Sequence, residues 1–256
     1  MSIIVSKFGG SSLADGNQFR KVKDILLSDN RRKFVIPSAP GKRNSKDFKI
    51  TDLLYLCQAH IESSIPLDDV FNLISNRYKA IVYELDLSLD IDIYLNEIKK
   101  DIENGASKEY AASRGEYLNG IILANYLDFK FIDAKDVIIF NKYGSLDNEA
   151  TYKALKNTLS NYEKAVIPGF YGCDPLGNIV TFSRGGSDIT GALVAASMNA
   201  DLYENWTDVS GFLMADPKIV ENPMQIKKIT YRELRELSYM GASVLHEDSV
   251  FPVRNA

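Results

Sequence analysis

TFSRGGSDIT (181–190) sets a guanidinium, two glycines, hydroxyls and a carboxylate within ten residues, just ahead of an apolar run. Near the amino terminus KFGGSS (7–12) repeats the arrangement with Lys7, Gly9, Gly10 and Ser11. Paired glycines free the backbone for positive φ and let amides approach a ligand with no Cβ in the way. Successive amides aimed at one point form an anion nest, and a helix starting there adds partial positive charge. Each loop alone has an equally plain explanation. A glycine pair after a strand makes a tight turn, Asp188 can cap a helix or complement its dipole, and Arg184 can be a surface arginine. Two such loops in one chain fit a ligand with two anionic portions, such as a nucleoside triphosphate beside a carboxylate.

The surrounding motifs narrow the chemistry. The Gly-x4-Gly-Lys-Ser/Thr order is absent, and no Gly-x-Gly-x-x-Gly follows the first strand, so these are neither Walker A nor dinucleotide loops. With two histidines, His60 and His246, the chain shows no Ser-His-Asp or Cys-His arrangement. Phosphoryl transfer to an alcohol often needs a base for the hydroxyl proton. Transfer to a carboxylate does not, because an acid of pKa about 4 is already ionised at neutral pH. Positioning and charge neutralisation by Lys, Arg, glycine amides and Mg²⁺ then suffice. Cys57 and His60 are half a zinc site at most, so no metal ligand is expected from the protein.

The elements that must hold these loops follow from periodicity. IIVSKF (3–8) reads as a buried strand, NQFRKVKDILLS (17–28) as a helix capped by Asp15 or Asn17, and KFVIPSA (33–39) as the next strand. Strand, helix, strand opens a parallel α/β sheet. Residues 51–127 read as mostly helical, with segments at 51–61, 68–85, 92–104 (stopped by Gly105) and 113–127. FKFIDAKDVIIF (129–140) is expected to be extended, and KAVIPGFYG (164–172) to be one strand. DPLGN (174–178) turns the chain into IVTF, so a hairpin delivers SRGGSD to the helix ITGALVAASMNA. DLYENWTDV (201–209) is a further strand, and Thr230 with Glu233 has capping-box spacing. The expected architecture is a three-layer αβα sandwich with a mainly parallel sheet, as one continuous unit of two halves.

Composition agrees with a globular chain. Its 256 residues are 45% hydrophobic and 25% charged, enough to bury a large core. A net charge of −4 offers no basic excess for nucleic acid. The basic run GKRNSKDFK (41–49) is the exception and reads as a solvated loop. No stretch approaches 18 apolar residues, and the start lacks a signal-peptide pattern, so a cytoplasmic protein with no membrane partner is expected.

VSKFGGSSLAD (5–15) resembles the amino-terminal signature of aspartate kinases. FSRGGSDITGALVAASMNADLYENWTDVSGFLMADPKIV (182–220) resembles their second signature, and ITYRELRELSYMGASVLH (229–246) the helical segment after it. The match runs from residue 3 to the end and is weakest in the middle third. The resemblance implies a kinase domain over 1–256, its half at about 1–160 on the amino-acid side and its half at about 161–256 on the nucleotide side. It implies ATP with Mg²⁺ and L-aspartate, the ion held mainly by ATP phosphates and water.

By the same resemblance Lys7 meets the transferring phosphoryl group, Gly9, Gly10 and Ser11 form the phosphate loop, and Asp188 orients Lys7. Ser38 and Thr51 help hold aspartate, Glu116 receives its amino group, and Arg184 clamps its α-carboxylate, with Phe170 and Ser187 completing the pocket. Thr207, Asp208 and Lys218 resemble residues on the ATP side. Read from the residues alone, Thr51 is equally a helix cap, Glu116 a solvated first-turn carboxylate, and Trp206 a residue packed on the sheet. Three positions depart from the family pattern: Lys218 where many members have arginine, Ser243 where many have lysine, and Glu247 where proline is common. Family members continue into regulatory ACT domains and form homo-oligomers. A chain ending at FPVRNA is therefore expected to be a truncated kinase domain without feedback inhibition by lysine or threonine. Competing readings are a sibling kinase for glutamate, acetylglutamate, carbamate or a nucleoside monophosphate, and an inactive binding module.

Overall fold

The computed structural model describes residues 2–207, 211–215 and 219–239. Among the described residues five parallel strands form the central sheet: β1 (Ile4–Phe8), β2 (Arg32–Pro37), β3 (Lys130–Phe131), β4 (Ala165–Val166) and β7 (Leu202–Trp206), in the order β3-β4-β2-β1-β7. A two-stranded antiparallel ribbon, β5 (Tyr171–Cys173) with β6 (Ile179–Thr181), stands apart from it. Eight α-helices are described: α1 (Gly16–Leu27), α2 (Ile50–Glu62), α3 (Asp68–Glu84), α4 (Ile91–Glu103), α5 (Lys108–Leu127), α6 (Asn148–Leu159), α7 (Gly186–Ser197) and α8 (Tyr231–Tyr239).

Strand side chains alternate between two cores, which is what makes three layers. Phe8, Val35 and Val166 point into a core shared with α1 to α5, while Val5, Phe34, Ile36 and Ile167 point into one shared with α6 and α7. Both sheet faces are covered, so the strands read as apolar runs rather than as alternations. The expected sandwich is the observed one. Among the described residues no helix is long and apolar enough to cross a membrane.

Several local expectations hold. Asp15, not Asn17, caps α1 by accepting from the Gln18 amide at 3.0 Å. Gly105 follows α4 with φ of 85°. Thr230 and Glu233 form a reciprocal box, Thr230 N–H donating to Glu233 Oε2 at 2.8 Å and Glu233 N–H to Thr230 Oγ1 at 3.3 Å.

Others fail for identifiable reasons. The stretch 129–140 is not one extended segment. Only Lys130 and Phe131 pair in the sheet, and Asp133 then caps a 3₁₀ turn at Ala134–Asp136. Ile139 and Phe140 make only single bridges, to Cys173 and Leu146. The run 164–172 splits in two. Pro168 has no amide to donate, and Phe170 at φ 82° re-aims the chain away from the sheet into β5. Helix α5 starts at Lys108, five residues earlier than expected, because it is buried on nearly every side and carries no single apolar stripe. Helix α6 is an addition to the expected elements; Asp147 caps it by accepting from Ala150 N–H.

Candidate active site

β1 is followed by β2 on one side, and the chain returns much later to place β7 on the other side of β1. That reversal makes the carboxyl ends of β1 and β7 the switch point where open α/β sheets bind ligands. Lys7 sits there in register with Asn205. Its ammonium meets Asp188 Oδ1 at 2.7 Å, both side chains being nearly buried. Asp188 lies in the first turn of α7 and is gripped twice from β7. Tyr203 OH donates to its carbonyl at 3.1 Å, and Asn205 Nδ2 donates to its Oδ1 at 3.3 Å. Asp188 is thus an ion-pair partner rather than the helix cap. The cap residue is Gly185, at φ 58° and with no side-chain bond, so the first amides of α7 remain available to an anion.

The amino-terminal loop differs from its expected plan in one respect. Gly10–Leu13 form a single 3₁₀ turn, and α1 starts only at Gly16. The amino end of α1 is already occupied by two carboxylates, Asp15 on Gln18 N–H and Glu84 on Gly16 N–H at 2.7 Å. Its dipole therefore serves no ligand here. The Gly9–Ser11 loop is instead fixed by its neighbours: Gly9 N–H donates to Trp206 O at 3.0 Å, and Gly41 N–H donates to Gly10 O at 2.8 Å. A Cβ on Gly10 would lie 2.8 Å from Ala39 O, and one on Gly41 would lie 2.6 Å from Gly10 C. Gly41 is required by the Gly10–Ser11 backbone, and Gly10 chiefly by Ala39 O. Arg77 on α3, buried, holds this second loop by donating to Gly41 O at 3.0 Å and to Asp47 Oδ2 at 2.5 Å. The basic run 41–49 is therefore anchored from inside at Gly41 and Asp47, while Lys42, Lys46 and Lys49 stay exposed.

The other half of the site is built where α5 meets the end of β2. Gly115 lets the helix come close, since a Cβ there would lie 2.8 Å from Ala39 Cβ. Glu116 and Asn119, one turn apart, then grip one peptide unit from both edges. Glu116 accepts from the Ala39 amide, and Asn119 Nδ2 donates to Ser38 O at 2.6 Å. Glu116 is buried, not solvated, and its Oε2 has no partner. Burial pushes its carboxyl up to about 7; the Ala39 amide and the Arg114 charge pull weakly the other way. Such a group calls for a proton or a cation. Thr51 is in the first turn of α2 but does not cap it; the cap position belongs to Lys49.

Gly169 and Phe170 close the remaining side against α7. A Cβ on Gly169 would lie 2.5 Å from Ser187 Oγ, and one on Gly186 would lie 2.8 Å from Phe170 Cα. Arg184, between β6 and α7, is exposed, with no described polar contact. Trp206 stacks on Phe8 at 6.1 Å and donates from Nε1 to Glu204, as a residue packed on the sheet would. Thr207 follows β7 at the same end. Asp208, Lys218, Ser243 and Glu247 lie outside the described residues. No trio of His, Cys, Asp or Glu able to hold a metal ion occurs among the described residues.

The fold is matched by known proteins. The profile of the amino acid kinase family covers residues 2–256. The chain belongs to that family. Aspartokinase 3 of Bacillus subtilis is 37% identical over 98% of this chain and 59% of its own length. The solved aspartate kinase of Clostridium acetobutylicum is 64% identical, with a TM-score of 0.95 over 99% of this chain and 58% of that one. Escherichia coli aspartokinase III, solved in complex with aspartate and ADP, is 28% identical, with a TM-score of 0.85 over 99% of this chain and 60% of that one. The chain thus spans about three-fifths of the length of these relatives.

Proposed function

We propose that this chain transfers the γ-phosphoryl group of ATP to the side-chain carboxylate of L-aspartate. The carboxylate oxygen forms the new bond to phosphorus, the bond from phosphorus to the β–γ bridging oxygen breaks, and ADP and an acyl phosphate leave. The observation that carries this is Glu116: a buried carboxylate with one orphaned oxygen, beside the Ser38–Ala39 peptide, suits the free ammonium of an amino acid. Acetylglutamate, carbamate and nucleoside monophosphates carry no such ammonium. The aspartate and ADP bound by the Escherichia coli relative support the same choice of substrates.

In this reading Lys7, held by Asp188, neutralises charge on the transferring group, and the amides of Gly9, Gly10 and Ser11 with those opening α7 receive phosphate oxygens. Arg184, exposed and with no polar contact among the described residues, can swing onto the substrate α-carboxylate, a planar target that suits guanidinium. Ser38, Thr51, Phe170 and Ser187 complete the amino-acid side, and Thr207, Asp208 and Lys218 the nucleotide side. Mg²⁺, when bound with ATP, would supply further charge neutralisation, held mainly by the triphosphate and water.

The deciding experiment follows ADP release with Mg-ATP, with and without L-aspartate, with L-glutamate as control and Arg184→Ala beside the wild type. Aspartate-dependent ADP that is lost in the variant is the expected result. ATP binding without turnover would make the chain an incomplete kinase half and overturn the proposal.

A further inference from the structure

Asp188 Oδ1 is shared. It takes the Lys7 ammonium at 2.7 Å and the Asn205 amide at 3.3 Å. A carboxylate accepts only from the NH₂ end of an amide, so this contact fixes which way the Asn205 group faces. Its own Oδ1 is left buried with no partner among the described residues. Buried acceptors are nearly always satisfied, and an orphan needs a reason. Beside Asn205 in the β1–β7 register stands Lys7, an ammonium with three protons and one described acceptor.

We infer that Asn205 is a positioning residue for Lys7. It shares Asp188 Oδ1 and so loosens the ion pair, and it offers a neutral second acceptor. The ammonium can then turn from Asp188 toward the transferring phosphoryl group without losing its hydrogen bonds. The inference rests on the phosphoryl-transfer role proposed for Lys7. Among the described residues, the charged and titratable groups on the Asn205 side are Lys7 from β1, Asp188 from α7 and the Tyr203 hydroxyl from β7. The neighbouring Glu204 faces the opposite side, toward Ser6, Arg32 and Trp206.

Two variants test it, read by ADP release and by calorimetric ATP affinity, which needs no turnover. Asn205→Leu keeps the shape and removes both hydrogen-bonding ends. It should lower kcat about tenfold, the size of one hydrogen bond, and leave KM for aspartate unchanged. Asn205→Asp puts a second carboxylate beside Asp188. It should hold Lys7 back and weaken ATP binding at least about tenfold. Wild-type kcat and ATP affinity in the Leu variant would overturn the inference. So would an Asp variant whose losses merely track its melting temperature. Should the Asp variant not fold, the Leu variant decides alone. A wild type that binds ATP without turnover would sink the proposed reaction, while the ATP affinities of the variants would still judge Asn205.

Discussion

Replacing Glu116 by glutamine should remove a pH dependence from the stability of the ligand-free protein. The Glu116 carboxyl titrates near 7 in the fold against an ordinary value of 4.5, with burial as the main cause. Between those values the folded state holds more protons than the unfolded one. The protonated, buried acid therefore contributes its full stability below the ordinary value, and that contribution is lost as pH rises through 7. Each pH unit between the two values is worth roughly 1.4 kcal/mol, so the whole window comes to about 3 kcal/mol. Of this, about 1.3 kcal/mol falls between about pH 6 and about pH 8. Glutamine does not titrate but can still accept from Ala39. The assay is urea unfolding of both proteins at the two pH values. The difference of differences cancels whatever pH-independent cost the substitution carries. A value near zero would mean that Glu116 is solvated and ionised in the fold, refuting the argument from its orphaned oxygen. The same acid predicts that aspartate binding at about pH 7 releases about half a proton, because the arriving ammonium favours the carboxylate; calorimetry in buffers of different ionisation enthalpy reads it.

Two further outcomes follow from the loops. Gly41→Ala forces a Cβ to 2.6 Å from Gly10 C, and such overpacking should cost about 1–3 kcal/mol and weaken ATP binding more than aspartate binding. Titration calorimetry with each ligand checks the order. Arg77→Met leaves Gly41 O without its donor and Asp47 with Arg43 alone. It should destabilise by about 3 kcal/mol, the low end for a broken buried pair because one partner remains. Denaturant unfolding measures it.

What the sequence made legible was whatever depends on short-range order. The strand at 3–8, the glycine turns, the hairpin around Asp174–Gly177 and the capping box at Thr230 all follow from neighbours a few residues apart. The layer order of the sheet followed from strand–helix–strand alternation. What stayed hidden depends on partners far away. Asn205 reads as one more residue of a strand until β7 is paired with β1; the one available signal was that Tyr203 and Asn205 share a face. Asn119 matters because it grips Ser38, 81 residues distant, and Arg77 because it reaches Gly41. Glu116 read alone passes for a solvated carboxylate because nothing local says that Gly115 will press α5 onto Ala39. Helix α6 carries a local signal, since Asp147 marks its start and its buried Thr151, Leu155 and Leu159 recur every four residues, but only two of those three are apolar.

The pairing of β1 with β7 also sets a clock on synthesis. The two strands are 198 residues apart along the chain, so at roughly 5–20 residues per second about 10–40 s separate their emergence. For that interval β1 can pair on the β2 side but presents an open, apolar edge on the other, a template for pairing with the wrong chain. Lys7 meanwhile has neither Asp188 nor Asn205. The nascent chain thus holds the Gly9–Ser11 loop long before Lys7 gains its ion-pair partner, and under the proposed reaction competence waits for β7.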